Sequence, residues 1–189
     1  VVSSYTVVAS FGGGLRHVPE LAVSGRHALY TLPFILAVAI AALMYAFVNN
    51  DFSVAYVAEN SNLAMPQIYT WVALYAGNAG SLLFIAMVVG IMASIAALTI
   101  RRSLPHTTPF AIGVMALVMT FFLGIIVFMA NPLERLPITP ADGAGINPLL
   151  IHFGMFIHPP VQMAGLISVA IPFSIAIGAM LAGRGGRDE

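Results

Sequence analysis

Two histidines six residues apart, His152 and His158, share a proline-rich stretch at residues 131–160 that reads NPLERLPITPADGAGINPLLIHFGMFIHPP. It holds six of the chain's twelve prolines and three charged residues, Glu134, Arg135 and Asp142. A neutral imidazole is a metal ligand. At a membrane edge, among aromatic and methionine side chains such as Phe153, Met155 and Phe156, it can stay neutral at ordinary pH and take an axial place on haem iron. Pro159 and Pro160 follow His158 directly; they fix the backbone and favour the start of a helix, which would hold the ring over that helix's mouth. The same pattern suits an interfacial residue ahead of a Pro-initiated helix, its ring bonded to a nearby carbonyl. For a lone histidine that plainer reading is the commoner one.

Other charged residues of the stretch admit several roles. Arg135 has the planar fork that matches a carboxylate bidentately, such as a haem propionate, or it pairs at the surface with Glu134 for little energy. Asp142 before Gly143 reads as a turn, and Asp51 as a cap or turn where a span exits. His152 is either a spare ligand or interfacial. No residue stands out as catalytic.

The elements that must position these side chains are membrane spans. The 189 residues are 60% hydrophobic and 7% charged, with a mean hydropathy of +0.97. The apolar residues come in blocks near the ~20 needed to cross a bilayer core. The predicted fold is all-α: a polytopic transmembrane helical bundle, one domain over residues 1–189, with four full spans and a partial first helix in residues 1–11. Residues 12–27 read as a polar, glycine-rich loop. The spans are expected at 28–48, with Pro33 in the first turns, at 70–100, at 110–129 and at 161–182, with a kink at Pro172. Small residues four apart, Ala86/Gly90/Ser94 and Ala170/Ser174/Gly178/Ala182, mark faces for close helix approach.

Charge sets the expected orientation. The chain has no lysine, and six of its seven arginines (Arg16, Arg26, Arg101, Arg102, Arg184, Arg187) fall on one side. Only Arg135 falls on the other, with Asp51, Glu59, Glu134 and Asp142. By the positive-inside rule the six-arginine side is cytoplasmic, so the loops at 49–69 and 130–160 face the periplasm or exterior of an inner membrane. His17, His27 and His106, in the arginine-side loops, read as topological residues. The start at Val1 suggests a truncated helix, and the end GRGGRDE suggests a chain that continues. No cysteine is present, which excludes disulfides and thiolate chemistry. No basic cluster tracks phosphates of a nucleic acid, and no protease, P-loop or dinucleotide motif occurs; Gly12–Gly13–Gly14 lacks the strand and helix context of a phosphate loop. No internal repeat is evident.

Several motifs in order carry a resemblance. DFSVAYVAENSN at 51–62, YAGNAGSLLF at 75–84, NPLERLP at 131–137, PADGAGINPLL at 140–150 and IHPP at 157–160 resemble the large subunit of cytochrome c haem lyase, the CcmF-type haem-handling proteins. The resemblance runs from about Gly25 to Arg184. It implies an inner-membrane protein that receives b-type haem from a haem chaperone, with other cytochrome c maturation subunits as partners. It further implies attachment of the haem vinyls to the Cys thiols of apocytochrome c. His158 then corresponds to one axial haem ligand of the family. The second axial ligand, the tryptophan-rich motif and the ligands of a membrane-embedded haem are not found in this chain, whose one tryptophan is Trp71. The sequence also departs from the family pattern at Tyr75, Asn78 and Ala79, and at His152 and Phe153. Two alternatives stand beside this reading, a haem or small-molecule transporter subunit and a non-catalytic assembly subunit. Few ionisable residues fall within the spans, which weighs against a permeation path.

Overall fold

A computed structural model describes residues 1–183; the segment 184–189, including Arg184 and Arg187, lies outside the described residues. The elements are α1 Val2–Leu15, α2 Pro19–Val48, α3 Ala55–Asn60, α4 Thr70–Ala73, α5 Asn78–Ser103, α6 Thr108–Phe128, α7 His158–Ser168 and α8 Ala170–Leu181. Short 3-10 turns lie at Gln67–Tyr69, Pro148–Leu150 and Phe153–Phe156. Four segments are long and apolar enough to cross a membrane: Pro19–Val48, Asn78–Ser103, Thr108–Phe128 and Phe153–Leu181. The chain is an all-α, multi-pass membrane protein, as its composition predicts.

The expected loop at 12–27 is corrected. Only Arg16, His17 and Val18 leave the helical path: His17 is left-handed at φ 54, and the Val18 N–H donates to the Gly13 carbonyl at 3.0 Å. Glu20, Arg26 and His27 belong to α2. Three glycines have poor helix propensity, but packing overrides it. A Cβ on Gly13 would meet the Ala22 nitrogen at 2.5 Å, and one on Gly25 would meet Ser10 Oγ at 2.5 Å, so α1 and α2 touch backbone to backbone. Pro19 takes the first helical position, where its missing N–H costs nothing, and Pro33 lies in mid-helix instead of the first turns.

Residues 70–100 do not form one run either. The helix breaks after Ala73 and restarts at Asn78. The Tyr56 hydroxyl enters the break: it accepts from Gly77 N–H at 2.9 Å, and the carbonyls of Ala73, Leu74 and Gly77 stand 3.2–3.3 Å from it as acceptors. A side chain has thus replaced helical bonds, a tertiary effect that hydropathy does not register. Within the last span, α7 begins at His158 and the helix is interrupted at Val169. Pro172, lacking an N–H, cannot bond the Ser168 carbonyl, which places the interruption one turn before the proline.

Internal packing sorts the chain into two compact units. The first, the arginine unit, comprises Val1–Ile35, Met87–Phe122 and the chain from Gly165. Its helices meet through small residues. Ser10 and Ser174 are fully buried, a Cβ on Gly178 would meet the Ala111 nitrogen at 2.6 Å, and the Phe11 and Phe110 rings lie 6.5 Å apart. The second, the loop unit, comprises Leu36–Ala86 and Leu123–Ala164. Its core gathers Phe47, Tyr56, Val57, Val72 and Ala73. The expected small faces are realised in part: Ala86, Gly90, Ser174 and Gly178 are buried, Ser94 is half-buried, and Ala93 and Ala97 extend the buried side of α5.

Candidate functional site

Within the loop unit, residues 49–69 are more than an interfacial loop. They include α3, and residues 134–145 run beside it through backbone hydrogen bonds. Ala55 N–H donates to Glu134 (2.8 Å), Leu136 to Ser53 (2.8 Å), Ala144 to Ala58 (2.7 Å) and Gly145 to Ser61 (3.1 Å). Val54 and Arg135 form an antiparallel bridge. Asp142 does make the expected turn, its carboxylate accepting from Gly143 N–H at 2.7 Å. It also accepts from Leu63 N–H at 2.9 Å, a tie across 79 residues that the sequence did not announce. Asp51 turns the chain after α2: Ser53 donates to its carboxylate from Oγ at 2.6 Å and from N–H at 3.2 Å. The Ser53 hydroxyl is the main reason the Asp51 carboxyl titrates below its ordinary value, and Arg135 adds to the effect.

These ties carry the chain to the two histidines. His152 precedes the 3-10 turn Phe153–Phe156, and its Nδ1 accepts from Gly154 N–H at 3.0 Å. With Nδ1 accepting, the neutral ring carries its proton on Nε2, so it has no free lone pair until that cap is released. The turn is pinned from α4 and its flanks. Tyr75 Oη donates to the Met155 carbonyl at 2.8 Å, the Tyr69 and Phe156 rings lie 5.6 Å apart, and α4 packs against the turn. Burial pushes the Tyr75 phenol up and that of Tyr56 to about 12, so both stay protonated and able to donate at any physiological pH.

His158 is the first residue of α7, and its ring is exposed with no hydrogen bond among the described residues. Phe153, Ile157 and Val161, within five residues of it in sequence, are exposed large apolar side chains, at 74%, 58% and 64%. An unengaged imidazole beside bare apolar surface fits one half of a haem site, namely one nitrogen ligand and part of a face for the porphyrin. Arg135 is exposed with its backbone held in the bridge, and its guanidinium is free of hydrogen bonds among the described residues. The structure thus sets His152 and His158 at the two ends of one pinned turn and places Arg135 on the bridge to Val54. Sequence reasoning missed Tyr56, Tyr75 and Tyr69 as the anchors; aromatic residues recurring before a glycine-opened span were the available signal. Among the described residues no cluster of three or more His, Asp or Glu could hold a metal ion alone.

Comparison with known proteins bears on this arrangement. No family model matches the chain. It is 40% identical over 151 residues to the cytochrome c-type biogenesis protein CcmF of Pseudomonas aeruginosa, covering 79% of this chain and 23% of that protein. It is 34% identical over 173 residues to CcmF of Escherichia coli (91% and 27%), and 30% identical over 184 residues to CcmF of Haemophilus influenzae (97% and 28%). The fold superposes on a solved cytochrome c haem lyase CcmF with a TM-score of 0.82 at 24% identity, over 97% of this chain and 28% of that one. The chain spans about a quarter of the length of these relatives. Over that quarter, by sequence with the fold in agreement, the chain belongs with the CcmF-type cytochrome c biogenesis proteins.

Proposed function

We propose that this stretch is part of a membrane haem lyase in cytochrome c biogenesis, and that it supplies one wall and one iron ligand of the surface on which haem is presented. Haem, in its b form, is the substrate, and the bonds made are thioethers between its vinyl groups and the Cys thiols of apocytochrome c. The observation that carries the reading is His158: an exposed, unengaged imidazole at the start of a helix, flanked by Phe153, Ile157 and Val161. A haem chaperone and other maturation subunits are the expected partners.

The task of these residues is placement. The Tyr75 and Tyr69 contacts fix the turn before α7, Pro159 and Pro160 fix the backbone after His158, and together they limit where the imidazole can point. Arg135 suits a propionate carboxylate. His152 is a reserve nitrogen that must first give up its cap. The arginine distribution orients the connections at 49–69 and 130–160 to the periplasmic side of an inner membrane.

The test is the haem content of the full-length protein, read by its Soret band, together with cytochrome c maturation in cells. His158→Ala is expected to lower both, while His27→Ala, whose ring lies 6.4 Å from that of Tyr30, leaves both unchanged. Unchanged haem and maturation in His158→Ala would overturn the assignment.

A further inference from the structure

The arginine unit contains a cavity of about 710 Å³ into which Arg26, Arg101, His17 and His106 line up with the apolar Phe110 and Leu181. None of His152, His158 and Arg135 borders it. The volume falls within the roughly 300–1,000 Å³ of small-molecule sites. Among the described residues no Asp or Glu lines it. Two arginines therefore line one space with no acidic residue among its described walls. Helix ends of both polarities border it, those of α1, α5 and α8 by their C-termini and those of α2 and α6 by their N-termini, so side-chain cations set its sign.

Arg26 provides the second observation. Its Nε is shut off from solvent and makes no hydrogen bond among the described residues. Nε is out of reach from the cavity, but the half-buried guanidinium that carries it is a cation with no hydrogen bond at that atom, and an anion in the cavity would offset the cost of burying its charge. We propose that this cavity is a binding site for a phosphate-bearing anion, either a phospholipid headgroup or free phosphate. The guanidinium fork matches phosphate oxygens, and the cavity lies where α2 and α6 begin and α5 ends. That is the depth of headgroups, where basic pockets between membrane helices take anionic lipid. Its apolar walls, Phe110 and Leu181, suit the glycerol and upper acyl carbons of a lipid.

The experiment uses the full-length protein, delipidated in detergent, titrated with inorganic phosphate and, separately, with short-chain phosphatidylglycerol. The readouts are the melting temperature and, for the lipid, the bound adduct by native mass spectrometry. Saturable binding of at least one probe is expected, weakened about tenfold or more in Arg26→Gln and in Arg101→Gln. Arg102→Gln, which removes the same charge one residue from the cavity wall, should bind as the parent does. Binding of the lipid alone identifies a headgroup site; binding of both probes in competition identifies a site that reads the phosphate itself. Arg26→Lys keeps the charge without the fork and guards against a misfolded variant, since weaker binding at an unchanged ligand-free melting temperature supports the site. Equal binding in Arg26→Lys and Arg101→Gln, equal loss in Arg102→Gln, or acetate acting as well as phosphate would overturn it.

Discussion

The two units solve the same problem, holding helices together in an apolar medium, by different means. The arginine unit removes side chains: glycine, alanine and serine let backbones touch, and Gly25 against Ser10 and Gly178 against Ala111 leave no room for a methyl group. The loop unit adds polar links instead, with the Tyr56 hydroxyl inside a helix break, Tyr75 on the Met155 carbonyl and Asp142 holding Leu63. Steric fit tolerates no added volume but is indifferent to pH, whereas a hydrogen-bonded phenol is sensitive to both its oxygen and its proton. The first design suits a static scaffold; the second fixes an irregular segment at a defined place, which a site on a connection requires.

The sharpest challenge to this contrast is Gly80→Ala, where both modes meet. The new Cβ would collide with the Leu74 carbonyl and stand 2.5 Å from Tyr56 Oη. A loss of about 3 kcal/mol or more is expected, seen as a large fall in melting temperature and in the yield of folded protein. Gly25→Ala should cost about 2 kcal/mol by the same measurement, through the α1–α2 crossing alone, and should leave haem content per folded molecule unchanged. Tyr56→Phe strands the Gly77 N–H and should cost about 1–3 kcal/mol.

Tyr56 also gives the pH test. Its folded pKa, about 12, lies above the ordinary 10.0, so the folded protein keeps the proton that the unfolded chain releases. The associated stability is intact below pH 10 and is lost as pH rises toward 12. Denaturant titrations at alkaline pH should show that decline, reduced in Tyr56→Phe. Gly124→Ala is the smallest change expected: nothing lies within 4 Å of the added carbon, and stability should hold or rise by less than about 1 kcal/mol. A large loss there would mean that packing in the loop unit is tighter than the polar-link account allows.

Hydropathy was sufficient to find the four spans because length and apolar content are what a bilayer demands, and the span expected at 110–129 matches Thr108–Phe128 closely. It failed where neighbours decide conformation. The glycines at 12–14 stay helical because α2 packs on Gly12 and Gly13 and Phe110 of α6 on Gly14, and the run at 70–100 breaks because a tyrosine 14 residues upstream of its start supplies the missing bonds. The place of His158 at the head of α7 was legible from its following prolines. That its ring is unengaged, while His152 spends a nitrogen on Gly154, depends on rotamers and a turn that no spacing encodes. The arginine cavity escaped notice for a similar reason: Arg26 was placed in a loop, whereas α2 carries it to the wall that Arg101 and His106 share.

The opening of α7 has one more consequence. A helix usually presents its surroundings with four amide hydrogens that nothing inside it can satisfy. Here Pro159 and Pro160 have none, and the Ile157 amide is taken by the Gly154 carbonyl at 3.2 Å, which leaves His158 alone with a hydrogen to offer. Such a blunt end can sit against a greasy, flat molecule without drying out orphan donors, and it exerts little pull on passing anions.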